Sequence, residues 1–201
     1  MIDWSQFIAS YSLVFTENPN PWDVTRNLES WILEKQKTLK TSEYVIQNQV
    51  AIHKSSVVEE NVVLKGPIII EENCFVASGN YFRNGVFLSK NCKIGPRSEL
   101  KTAFLFENAQ IAHFNYIGDS IVGSNVNFEA GSLIANHHND RDEKNIWVKV
   151  FDQVISTEID KFGALVGDFS KIGANAVLSP GSILEKKSIV KRLELVEQIP
   201  N

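Results

Sequence analysis

The amino-acid sequence predicts a mainly β protein, a parallel β-helix of six-residue repeats with a helical segment ahead of it, and three observations carry that prediction. From Ile52 onward, Ile52, Val58, Leu64, Ile70, Val76, Phe82, Leu88, Ile94 and Leu100 stand six residues apart, and all nine are apolar. In a chain that is 43% apolar, chance produces such a run in a fixed phase with a probability of roughly 5 in 10,000. A second column lies four residues further on: Ser56, Val62, Ile68, Cys74, Asn80, Val86, Cys92, Ser98 and Phe104. It is mostly small or β-branched, as an inward position beside a corner requires. Thirdly, the phase slips by one residue twice, through Leu105, Ile111 and Ile117 and then Val122, Phe128 and Ile134. It resumes at Val166, Ile172, Leu178, Leu184 and Val190, where Ser170, Ala176, Ser182 and Ser188 restore the small column. Three hexads make a triangular coil of 18 residues, and each coil covers the apolar interior of the next.

Taken in chain order, residues 1–45 form the helical segment. After NPNPW at 18–22, Val24, Leu28, Trp31, Ile32 and Leu39 follow helical spacing, with Asp23 expected as N-cap. Its apolar side predicts a cover packed on the body, and no chemistry is read from it. Residues 46–194 form the β-helix and 195–201 a tail. Residues 137–161 break the repeat, and their polar start followed by alternating apolar residues reads as a loop projecting from one corner.

The 201 residues carry 20 Lys+Arg against 24 Asp+Glu, a net charge of −4, which argues against a general nucleic-acid partner. No apolar run reaches the roughly 18 residues of a membrane span, and no signal segment opens the chain. The expectation is a cytoplasmic protein without a membrane partner. Cys74 and Cys92 are the only cysteines, in no CxxC or Cys/His cluster, so neither zinc nor a disulfide framework is expected. Standing 18 apart in the small column, they read as stacked, reduced thiols. Adjacent His137 and His138 point in different directions and have no third ligand, so no metal is expected.

Lys65, Arg83 and Lys101 are also spaced by 18, so they should stack as a column of cations at one corner. Such a column suits a phosphate or sugar phosphate. It also suits a solvated edge neutralised by Glu71, Glu72 and Glu99, and spacing alone does not choose. Residues 113–140 are the richest in polar functional groups, with His113, Tyr116, Asn127 and Asn136 among inward apolar positions.

Residues 82–136 resemble the acetyltransferase domain of the bifunctional enzymes that acetylate glucosamine 1-phosphate and then form UDP-N-acetylglucosamine. The likeness runs without gaps through FRNG at 82–85, SELK at 98–101, HFNYIGD at 113–119 and NFEAGSLIAN at 127–136, both phase slips included. DEK at 142–144 and KFGALVGD at 161–168 are similar to the archaeal-type branch. The resemblance covers about residues 50–190 and implies a left-handed β-helix, a handedness that periodicity does not set. It implies that Arg83, Lys101, Tyr116 and Asn127 contact the sugar phosphate and that His113 is the general base. Glu99 and Asn136 would help to position the base and acetyl-CoA, the co-substrate. It implies direct attack of the sugar amine on the thioester, with the oxyanion met by a backbone N–H near Ala130. Asp168 and Ser179 are further candidate acetyl-CoA contacts, and a homotrimer with sites between subunits is implied.

Three departures stand beside this likeness. His137 replaces the usual Tyr after Asn136. The expected lysine is displaced, with Lys144 the substrate-binding candidate and Lys149 a second. The first 45 residues cannot hold a nucleotide-binding sheet and no glycine-rich phosphate loop is present, so uridylyl transfer is not expected of this chain. The competing readings are an acyltransferase for a nucleotide-linked amino sugar and a catalytically silent β-helix serving as an assembly or regulatory subunit. A carbonic-anhydrase-like enzyme is disfavoured because its histidine triad has no counterpart.

Overall fold

The computed structural model describes residues 2–15 and 17–199. Parallel strands stack as a left-handed β-solenoid of about 8 turns. Its first face carries Val57–Val58, Phe75–Val76, Lys93–Ile94, Gln110–Ile111, Asn127–Phe128, Lys171–Ile172 and Ile189–Val190. The second and third faces form one continuous sheet, because Tyr81–Leu88, Glu99–Leu105 and Tyr116–Val122 run round the corner between them. Val63–Leu64, Leu133–Ile134, Val177–Leu178 and Leu195–Val196 complete the second face, while Val50–His53, Ile68–Ile70, Ala164–Val166 and Ser182–Leu184 complete the third.

The hexad positions fill the interior. Ile70, Val76, Phe82, Leu88, Ile94, Leu100, Leu105, Ile117, Val122, Phe128, Ile134 and Val166 are all fully buried in one cluster. Burying each such side chain contributes about 2 kcal/mol. Tight corners need left-handed backbone, and Asn61, Asn73, Asn91, Asn108, Asn125 and Asn175 supply it with φ between 54° and 63°. Asparagine tolerates this region better than other side-chain-bearing residues.

The phase slips have a physical cause. Arg83 pairs with Lys101, yet Val86 pairs with Ala103, so one coil turns through Asn84 and Gly85 and the next through Thr102 alone. Asp119 alone turns the coil after that. Their φ angles of 56°, 85°, 48° and 45° are all left-handed. One consequence corrects the second column: Ala103, not Phe104, faces the interior, and Phe104 packs outside with the cover.

The third face is covered. Its outward residues Ala51, Ile69, Phe87, Phe104, Ile121, Leu165 and Ile183 are buried against Trp4, Phe7, Ile8, Leu28 and Ile32. Two short helices cross it, α1 (Pro21–Arg26) and α2 (Leu28–Gln36). The N-cap of α1 is Asn20 rather than Asp23. Pro21, with its fixed φ and no N–H, suits the first helical position and moves the start three residues earlier. Asp23 lies in the first turn, where the Asn20 side chain donates to it at 3.2 Å.

The excursion at 137–161 is packed rather than free. Trp147–Val150 and Gln153–Ser156 form an antiparallel hairpin, and Ile146, Val148 and Val150 join the cluster under the cover. The β-helix continues past residue 194, since Leu195–Val196 pairs with Val177–Leu178; residues 200 and 201 of the expected tail lie outside the described residues. Cys74 and Cys92 are free, buried thiols that donate to the carbonyls of Ser89 at 3.1 Å and Phe106 at 3.2 Å. Burial pushes the Cys92 thiol well up. No helix among the described residues is long and apolar enough to cross a membrane.

Candidate functional site

Strand alternation decides which side chains leave the second face. Phe82, Leu100 and Ile117 point inward, so Arg83, Glu99, Lys101 and Tyr116 point outward. Register aligns Tyr81, Glu99 and Tyr116 in one file and Arg83, Lys101 and Gly118 in the next. Gly118 leaves room for the Tyr116 ring, because a Cβ there would lie 2.6 Å from the Tyr116 hydroxyl. Ala135 and Ser179 continue the second file, with the Ala135 N–H bonded to Leu178 and the Ser179 N–H to Val196.

The cation column exists, and of the three acids expected to neutralise it Glu99 does so, while Glu72 pairs with Lys90 instead. Lys65 Nζ lies 5.0 Å from the centre of the Tyr81 ring. Arg83 donates through Nε to Glu99 Oε1 at 2.8 Å, and its Nη2 lies 2.8 Å from the same oxygen. Burial works against the Arg83 charge, but the Glu99 carboxylate outweighs it and raises the pKa. Lys101 Nζ lies 2.5 Å from Asp119 Oδ2. The Asn136 side-chain amide donates to that same oxygen, joining the strand end before the excursion to the corner. Tyr116 is half-buried beside this pair, and burial followed by the charges of Asp119 and Glu99 pushes its pKa up to about 12. It is therefore a neutral hydroxyl at any working pH.

Asp119 was missed as a functional residue in the sequence. Its signal was the second phase slip, which marks the one-residue corner that aims its carboxylate at Lys101.

His113 occupies the other edge of the second face. It is exposed in the turn between Gln110–Ile111 and Tyr116–Val122, its ring edge-on to Phe114. Its carbonyl accepts the Gly131 N–H at 3.0 Å, which sets Ala130 beside it at the same corner. Arg83, Glu99, Lys101, Tyr116 and Asn136 thus form one group, and His113 with Ala130 another. Asn127 stands apart on the first face, paired with Gln110 and Lys171. Lys144 curls back on its own loop, donating to the His138 carbonyl at 2.9 Å and to that of Arg141. Asp168 has a different task from the expected acetyl-CoA contact. It is buried, and its carboxylate accepts the N–H groups of Ala9 at 2.8 Å and Ser124 at 2.7 Å, tying down the cover.

Comparison with known proteins bears on this arrangement. The family model described as "GMPPB C-terminal domain" matches residues 64–199. The "Bifunctional sugar-1-phosphate nucleotidylyltransferase/acetyltransferase" of Sulfurisphaera tokodaii is 34% identical over 161 residues, covering 71% of this chain and 40% of that protein. The "Bifunctional protein GlmU" of Methanococcus maripaludis is 32% identical over 177 residues, covering 85% of this chain and 42% of its own length. That of Methanocaldococcus jannaschii is 32% identical over 142 residues, covering 62% and 34%. The chain therefore spans about two fifths or less of the length of these relatives.

Proposed function

The chain belongs to the GMPPB C-terminal domain family, and on that premise we propose that it is an acetyl-CoA-dependent N-acetyltransferase acting on a hexosamine 1-phosphate. The observation that carries this reading is the outward group on the second face. Arg83 and Lys101 stack as two neighbouring cations, each held by a carboxylate, while Tyr116 and Asn136 converge on the same corner. A relative named as a bifunctional sugar-1-phosphate nucleotidylyltransferase/acetyltransferase points the same way.

In this reading the phosphate lies against Arg83 and Lys101, which carry fixed positive charge on an otherwise acidic chain. The sugar ring extends along Tyr116 toward the opposite edge, where His113 accepts the proton of the amine as its nitrogen attacks the thioester carbonyl. The tetrahedral oxyanion is met by the Ala130 N–H. Collapse expels the CoA thiolate, which takes the proton from the imidazolium. No covalent enzyme intermediate is needed. Glu99 holds Arg83, and Ser179, outward on the same face three coils beyond Lys101, is kept as a candidate contact for acetyl-CoA. Asn127 faces away from this group, so its contact with substrate requires a neighbouring subunit, in keeping with a homotrimer. This reading keeps the cytoplasmic location expected from the sequence.

The test is release of free CoA from acetyl-CoA and glucosamine 1-phosphate, followed with a thiol reagent, together with a panel of other amino sugars. His113→Ala should lower kcat at least about a hundredfold while the melting temperature and oligomer mass stay unchanged. Wild-type activity in that variant would remove His113 as the base. No turnover of any amino sugar by folded wild-type protein would overturn the acetyltransferase reading.

A further inference from the structure

The N-terminal cover is not confined to the apolar third face. At the wide corner, α2 meets Gly85 so closely that a Cβ there would lie 3.0 Å from Glu29 Cγ and 3.3 Å from the Glu29 backbone nitrogen. The first turn of α2 thus rests on the corner next to Arg83. Asn84, in left-handed backbone with φ 56°, bridges the two: its side-chain amide donates to Glu29 Oε1 at 3.4 Å, and its Oδ1 accepts from Arg83 Nη1 at 3.4 Å. Glu29 also lines a cleft of about 490 Å³ with Arg26, Thr102, Asp119 and Lys161. That cleft adjoins the Lys101–Asp119 pair.

We propose that Glu29 is a positioning residue for the acceptor's phosphate, acting through Asn84 on Arg83, so that the cover forms one wall of the acceptor site. The inference rests on the acetyltransferase reading. A guanidinium has five N–H donors. In Arg83, Nε and Nη2 engage Glu99 on the solenoid and Nη1 engages Asn84, which leaves one hydrogen on each terminal nitrogen. Glu99 alone anchors one side of the plane. The Glu29–Asn84 link anchors the other, aiming both remaining hydrogens at one anion. Arginine recognises phosphate through such paired donors, so loss of orientation weakens binding without touching proton transfer at His113.

The experiment measures kcat and KM for glucosamine 1-phosphate and for acetyl-CoA in wild type, Glu29→Ala, Glu29→Gln and Glu34→Ala. Glu29→Ala should raise KM for the sugar phosphate about tenfold, a coupling typical of groups in one network, with kcat and the acetyl-CoA KM within about twofold. Glu29→Gln keeps an acceptor oxygen for Asn84 and should recover most of the affinity. Glu34, on the far turn of α2, pairs with Lys37 alone among the described residues, and its variant should match wild type. An unchanged sugar-phosphate KM in Glu29→Ala, or equal losses in kcat and both KM values, would overturn the positioning role while leaving the acetyltransferase reading intact. Absence of wild-type turnover would instead count against that reading and remove the inference with it.

Discussion

Two acid–base pairs of this molecule approach to nearly the same distance in very different surroundings. Lys101 and Asp119 approach to 2.5 Å with side chains 14% and 11% exposed; Arg192 and Glu129 approach to 2.7 Å with 73% and 37%. The second pair is bidentate, with Arg192 Nε and Nη2 each 2.7 Å from a Glu129 oxygen. It lowers the Glu129 pKa through hydrogen bonds from Arg192 and from the Ala174 N–H. Water competes for every partner there. The first pair sits where a one-residue corner, the Tyr116 ring and Asn136 displace water. The difference teaches that burial, rather than distance, decides which pair the fold depends on.

The largest expected effect is Asp119→Ala, which strands the Lys101 ammonium among half-buried neighbours and should cost about 3 kcal/mol in urea unfolding. Glu129→Ala should leave the urea midpoint where it was. Equal losses in the two variants would break the comparison. Replacing the buried pair together, Lys101→Met with Asp119→Leu, removes both charges and should lose only about 1 kcal/mol; a loss as large as that of Asp119→Ala would show that the corner depends on the Asp119 side chain itself, through its bond to Asn136 or its tolerance of a φ of 45°.

Gly85→Ala sharpens the contrast between wide and tight corners. Its φ of 85° and the 3.0 Å approach to Glu29 predict a loss of about 1 kcal/mol, read as a lower melting temperature. The smallest effect concerns pH. Burial, and then the Arg141 charge, lowers the His138 pKa, so the unfolded imidazole takes up a proton more readily than the folded one. Its share of stability is present above about pH 6.5 and is lost as pH falls through the lowered folded value. His138→Gln should flatten the fall in melting temperature across that window, and an unchanged slope would exclude His138 as its source.

Much of the solenoid was legible because a six-residue period leaves its mark on every coil. The inward file from Ile70 to Val166 could be read without contacts, and so could the stacking of Arg83 on Lys101. Phe104 was misread as inward because it kept the spacing of a two-residue corner where Thr102 makes a one-residue corner. Asp23 was misread as a cap because Pro21 had already set the helix start. Within the candidate site, the positions of Arg83, Glu99, Lys101, Tyr116 and His113 followed from alternation and from likeness to a family. Asp119 and Glu29 did not, since their importance comes from partners 18 and 55 residues away.

The sequence by itself determined the parallel coil and its 18-residue period, because a local pattern repeated on coil after coil outweighs chance; the break at 137–161 was legible as the loss of that pattern, and the family through the likeness of particular motifs. The tertiary structure alone decided that the excursion folds back beneath the cover, that Asp168 clamps the N-terminal segment, and that Lys101 and Asn136 meet on one carboxylate. These contacts join residues remote in sequence, and they depend on which apolar face is left open and how tightly each corner turns. Periodicity encodes neither.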